Sequence, residues 1–212
     1  MYKLFIALRY LRANKIIYFS IAGVAVGIAV MIIVTSVMGG FSRDIQARAT
    51  LTAVLAYEIA LASGQVNPLL ASTIGLLHNI GASIGLLVRK TRPEVAELLD
   101  CVESPALGAA VLTGWGLPER VFEVVARQDQ PHALLPEELD VHGAELAVLY
   151  VARVCHDVLL ERATPPANVG AYMARLGLRE TNCAAFCRDT LVPTLAKKAE
   201  SLPATVRARL QG

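Results

Sequence analysis

The sequence predicts an all-α protein, with one N-terminal transmembrane helix followed by a compact helical bundle. Three observations carry this expectation. Residues 16–42 contain no charged side chain, and at about 1.5 Å per residue such a run exceeds the roughly 30 Å hydrocarbon core of a bilayer. Beyond Ala49, apolar residues recur at helical spacing with almost no alternating β-branched run. Proline, glycine and Asn/Ser then fall where helices start and stop. Hydrophobic residues make up 55% of the 212-residue chain and charged residues 18%, which excludes a disordered chain. Residues 1–48 carry six Lys/Arg against one Asp/Glu, or +5, whereas residues 49–212 carry 14 against 17, or −3. That balance is not the footprint of a nucleic-acid-binding protein.

The elements follow in order. Residues 1–15 set Lys3, Arg9, Arg12 and Lys15 among Leu4, Phe5, Leu8 and Leu11, a basic amphipathic start suited to an anionic membrane surface. Residues 16–41 form the span, with Gly23 and Gly27 on one face where another helix can approach. In the soluble part, Leu51–Ala62 forms a helix stopped by Ser63-Gly64, and Asn67 caps a helix that opens on Pro68 and runs to Leu77. A short helix runs from Thr91 or Pro93 to Leu99, another from Ser104-Pro105 to Leu112, and a third from Leu117-Pro118 to Ala126. Asp129–Glu138 is a polar loop, and Asp140–Glu161 is a long helix burying Leu146, Leu149, Val151, Val154, Val158 and Leu159. After the break at Thr164–Asn168, helices are expected over Val169–Leu176, Thr181–Ser201 and Pro203–Leu210. No second apolar stretch of membrane-spanning length is expected after Phe41.

The runs LRYLR at 8–12, SIAGVAVGIAVMIIV at 20–34 and SVMGGFSRDIQAR at 36–48 resemble the start of lipoprotein-releasing (Lol-type, FtsX-like) ABC transporter permeases. The resemblance implies the first span of a transport protein. A second resemblance covers most of the remaining chain. GLLHNIGASIGLLV at 75–88, LGAAVLTGWGLPERVFEVVARQDQP at 107–131 and ELAVLYVARVCHDVL at 145–159 look like the HDOD domain, a helical relative of the HD-superfamily metal-dependent phosphohydrolases. It implies a bacterial signalling or regulatory module. The expected organisation is therefore 1–48, basic start and transmembrane helix, and 49–212, a truncated HDOD-like domain.

HD chemistry uses several His and Asp ligands around metals that activate water and neutralise phosphate charge. Against that pattern the resemblance sets His78-Asn79 at the signature His-Asp pair, Ser104 and Gln128-Asp129 where histidines would stand, and Arg153 at the final aspartate. One remaining ligand, His78, cannot hold a catalytic ion. Neither an enzyme, nor a metal, nor any other cofactor is expected.

His78 itself reads as a semi-buried histidine bonded to a backbone group near a helix end, the alternative being a remnant ligand or partner-facing residue. His132 and His142 read as solvated, and His156-Asp157 as a chance pair. Trp115, between two glycines, reads as a core anchor at a tight corner, the alternative being an aromatic hot spot for a partner. Glu94, Glu97, Asp100 and Glu103 read as a solvated acidic face. Cys101, Cys155, Cys183 and Cys187 show no CxxC spacing and read as reduced, mostly buried thiols; Cys183 and Cys187 at i, i+4 would make half a metal site, but packing is the expected role.

The function these readings favour is a non-catalytic signalling or regulatory module. It would bind a protein partner or a second copy of itself, attach to the inner membrane through residues 16–41, and bind no nucleic acid. The competing reading is the leading fragment of a permease. Four basic residues precede the span and a net +1 follows it, placing residues 1–15 inside and the helical domain outside, whereas an HDOD-like domain with unpatterned cysteines suits the cytoplasm.

Overall fold

The computed structural model describes residues 42–159 and 164–197, together with Arg207, with side chains from residue 48 onward. The chain divides into two compact units, Met1–Arg43 and Asp44–Gly212. The expected span at 16–41, its Gly23 and Gly27, the basic start and, apart from Arg207, the last expected helix lie outside the described residues. Among those residues the structure is helical, with no strand.

Helix α1 covers Ser42–Ser63 and ends on Gly64 at φ 65°, with the Gly64 amide bonded back to the Ala60 carbonyl. It buries Leu51, Leu55, Ala56, Ile59 and Ala60. Helix α2 (Pro68–Leu77) starts as the sequence predicts: the Asn67 side-chain oxygen accepts from the amides of Leu69 at 2.9 Å and Leu70 at 3.3 Å, and Pro68 opens the first turn. Its buried face is Ala71, Ile74 and Gly75.

Helix α3 (Ile80–Thr91) was not among the expected elements, and its glycines at 81 and 85 lower helix propensity. Gly81 is there for contact. A Cβ at this position would overlap the Ser104 carbonyl oxygen and come within 2.6 Å of the Gly108 amide nitrogen, so the residue lets α3 lie backbone to backbone on α5 (Ser104–Gly114). Between them lie a 3-10 turn, Pro93–Val95, and the short α4 (Ala96–Asp100). The acidic residues here are exposed as expected, with Asp100 paired to Arg89 and Glu94 to Arg92.

Together Pro68–Thr91 is long and apolar enough to cross a membrane by length and composition, contrary to the expectation that no such stretch follows Phe41. A turn at His78–Asn79 interrupts it, and α2 packs on α6 (Glu119–Ala126) and α7 (Gly143–Leu159).

Helix α5 ends in a Schellman motif. Gly116 adopts φ 72°, its amide bonds to the Thr113 carbonyl, and the Leu117 amide bonds to the Leu112 carbonyl. This turn corrects the expected role of Trp115. As the residue between the last helical position and the left-handed glycine, it projects outward and is 61% exposed, so it is no core anchor.

The expected polar loop holds two 3-10 turns, Gln130–His132 and Pro136–Glu138. Helix α7 begins at Gly143 rather than Asp140 because His142 sits at φ 56°, outside helical backbone space. It is the central element: every residue from Leu146 to Ala152, and Val154 to His156, is buried, the pattern of a helix covered on all sides. Helix α8 (Val169–Arg175) packs on it. A polar chain ties the two helices to the 3-10 turns: the Tyr150 hydroxyl donates to Asn168 at 2.7 Å, Asn168 donates to the Pro131 carbonyl at 2.8 Å, and the Tyr172 hydroxyl donates to the Leu134 carbonyl at 2.9 Å.

The helix expected over Thr181–Ser201 is not uniform. It comprises α9 (Cys183–Phe186), a π-helical turn over Cys187–Leu191, and α10 (Val192–Lys197).

Candidate functional site

The residues that the HDOD resemblance places at ligand positions come from four places, the α2–α3 turn, α5, the α6 exit and α7, and the fold brings most of them together. His78 follows the last turn of α2 and is 7% exposed. Its Nδ1 lies 2.6 Å from the Gly75 carbonyl oxygen, which can only accept, so Nδ1 carries the proton and Nε2 the lone pair. Burial is the main reason its pKa falls from 6.5 to about 4; the Gly75 bond opposes that fall, while the nearby positive charge of Arg153 and the neighbouring His156 add to it. The expected reading, a histidine bonded to backbone at a helix end, describes the geometry.

Gln128 and Asp129 follow α6. The buried Gln128 amide donates to the His78 carbonyl oxygen at 2.9 Å, fixing the α6 exit against the α2 exit. Arg153, from α7, donates to the Gln128 carbonyl at 3.1 Å and to the Asp129 carboxylate at 2.8 Å. Its guanidinium thus has an anionic partner and a carbonyl partner and is partly shielded, at 29% side-chain exposure. One turn on, His156 is buried, with Nδ1 3.1 Å from the Asp157 carboxylate, and acts electrostatically on His78. At i+3 from Arg153 on a helix, residue 156 falls on the same side.

Asn79 is half-buried at the start of α3, and its side chain makes no capping bond there. Ser104 is exposed; its backbone carbonyl lies against Gly81, and among the described residues no hydrogen bond joins its hydroxyl to the His78 cluster. His132 is exposed, with its ring edge-on to Tyr150 at 5.1 Å, and His142 is half-buried. Beside Arg153 a shallow pocket of about 100 Å³ is lined by His132, Asp157, Val158 and the Thr164–Pro166 segment. It is smaller than the roughly 300–1,000 Å³ of ordinary small-molecule sites.

Chemically, the cluster sets the neutral His78 imidazole with the Gln128 amide, the Asp129 carboxylate and the permanently charged Arg153 guanidinium, and His156-Asp157 stands one turn further along α7. The Asp129 carboxylate is already engaged by the guanidinium.

No protein-family model matches the chain, and no curated protein matches it, so the HDOD-like and permease-like resemblances rest on the residues quoted above. Among solved structures, the chain is similar to a protein of Shewanella amazonensis SB2B named "Putative phosphohydrolase", with 19% identity and a TM-score of 0.48. The match covers 81% of this chain and 64% of that one. That degree of likeness says nothing about the activity of this chain.

Proposed function

We propose that the helical unit is a non-catalytic regulatory module of HDOD type that engages a protein partner and is held at the inner membrane by residues 16–41. The observation that supports the non-catalytic reading is the position of Arg153, bonded to Asp129 and to the Gln128 carbonyl in the cluster that contains His78. A guanidinium stays protonated at any physiological pH and offers no lone pair. At an effective dielectric of about 20, a dication about 4 Å from it would meet roughly 8 kcal/mol of repulsion. The guanidinium supplies the positive charge that a metal would supply in an HD centre, and it cannot activate water. With catalysis set aside, the exposed Trp115 corner is a surface of the kind partners use.

The test uses the full-length chain in detergent. It should hydrolyse neither phosphomonoesters nor phosphodiesters when supplied with Mn(II), Mg(II) or Fe(II). Turnover that disappears in both His78→Gln and Asp129→Asn would show a working centre and overturn the reading.

A further inference from the structure

We propose that the Cys155, Cys183 and Cys187 thiols form a binding site for one soft, thiophilic metal ion, Zn(II) or Cu(I). The sequence offers only the i, i+4 pair Cys183 and Cys187. The fold adds the third sulfur, because the α9 and π-turn segment packs against α7 at Cys155.

All three residues are buried, and their sulfurs lie within 4.8 Å of one another. The Cys155 and Cys183 sulfurs are 3.6 Å apart, and the Cys187 thiol points at the Cys155 carbonyl, 4.0 Å away. An ion bonded to each sulfur at about 2.3 Å requires sulfur separations of roughly 3.7–4.0 Å, so small side-chain adjustments suffice. The donor set is all sulfur, which excludes hard ions such as Mg(II) and Ca(II) and selects Zn(II) or Cu(I). Three thiolates complete a trigonal Cu(I) shell, or leave one position of a Zn(II) tetrahedron for water.

The local backbone is built around these residues. Asn182 caps α9 through the Ala185 amide and so orients Cys183 at its first position, and the π-helical turn begins at Cys187. Single π turns within helices occur often at functional sites. The exposed residues Arg179–Asn182 lead directly into Cys183 and give an ion a route in by local opening.

The metal binds thiolates, so the thiols must give up their protons when it enters. Binding breaks the S–H bonds, forms three metal–sulfur bonds and releases those protons to solvent, with no change in oxidation state.

The experiment uses the full chain, fully reduced, and the metals alone: Zn(II) in one arm, and Cu(I) with excess reductant and a competing chelator in the other. One ion per chain is expected in at least one arm. Alkylation followed by peptide mapping should then show Cys155, Cys183 and Cys187 protected by the metal and the exposed Cys101 modified. Cys183→Ser should weaken binding by at least about 100-fold, since even an outer-shell partner is worth roughly 10–100-fold, while Cys101→Ser and His78→Gln leave it unchanged. The protection pattern is read on the unaltered chain, so an unfolded variant does not obscure the result. No uptake in either arm overturns the proposal. So does uptake that leaves the three thiols unprotected, or a Cys155–Cys183 disulfide in the purified chain with no metal uptake after reduction. None of these outcomes bears on phosphoester hydrolysis, so this site and the non-catalytic reading fail separately.

Discussion

His78 stays neutral at pH 7 because burial disfavours its charged form, and the adjacent Arg153 charge adds to that preference. Its folded pKa of about 4 lies below the ordinary 6.5. Between those values the unfolded chain binds the extra proton and the native chain does not, so stability rises with pH across the window and is lost as pH falls from 6.5 toward 4. A shift of this size corresponds to about 3 kcal/mol at the acid end. Urea unfolding of the wild type and of His78→Gln across this range should diverge: the variant should lose less stability on acidification. Parallel curves would mean that the imidazole contributes nothing. The role of His78 as a backbone-bonded histidine near a helix end was legible from its place after Leu76-Leu77. Its link to Gln128, fifty residues away, was not, because the bond runs to the His78 carbonyl, which every residue possesses.

Helix boundaries set by local chemistry were readable, and those set by tertiary contact were not. Asn67-Pro68 announced α2, because an amide side chain and a fixed φ start a helix wherever they occur. Helix α3 was not among the expected elements, and the contact that explains Gly81, α5 lying on it, is tertiary. The two glycines of α3 should therefore answer oppositely to the same substitution. Gly81→Ala drives a methyl group into the α5 backbone and should cost about 3 kcal/mol or more. At Gly85 the nearest atom to an added Cβ is a Leu107 methyl at 3.7 Å, ordinary contact, so Gly85→Ala should gain about 0.5–1 kcal/mol from helix propensity. Chemical denaturation of the two variants checks the pair, and equal effects would contradict the close approach. Cys155 shows the same limit in the site: the spacing of Cys183 and Cys187 was visible, but the register of their segment on α7 is decided by packing alone.

At the scale of the whole molecule, the apolar stretches Leu51–Leu61 and Leu69–Leu77 divide between core and surface. Leu51, Leu55, Ala56, Ile59 and Ala60 join the core, whereas Leu61, Leu69 and Leu76 face outward. Within α2, Leu69 and Leu76 are seven residues apart and share a face opposite Ala71, Ile74 and Gly75. They are 71% and 51% exposed. Neighbouring apolar side chains of this size on one surface drive association. The helical unit, expressed as residues 42–212, should therefore self-associate with increasing concentration in sedimentation velocity. Replacing both leucines with glutamate should yield a monomer, and because neither side chain contributes to the core, each replacement should change the unfolding free energy by no more than about 0.5 kcal/mol. A concentration-independent monomer from the unsubstituted unit would show that this face is tolerated by water. A double variant that loses its cooperative transition would show instead that the two leucines hold the bundle together.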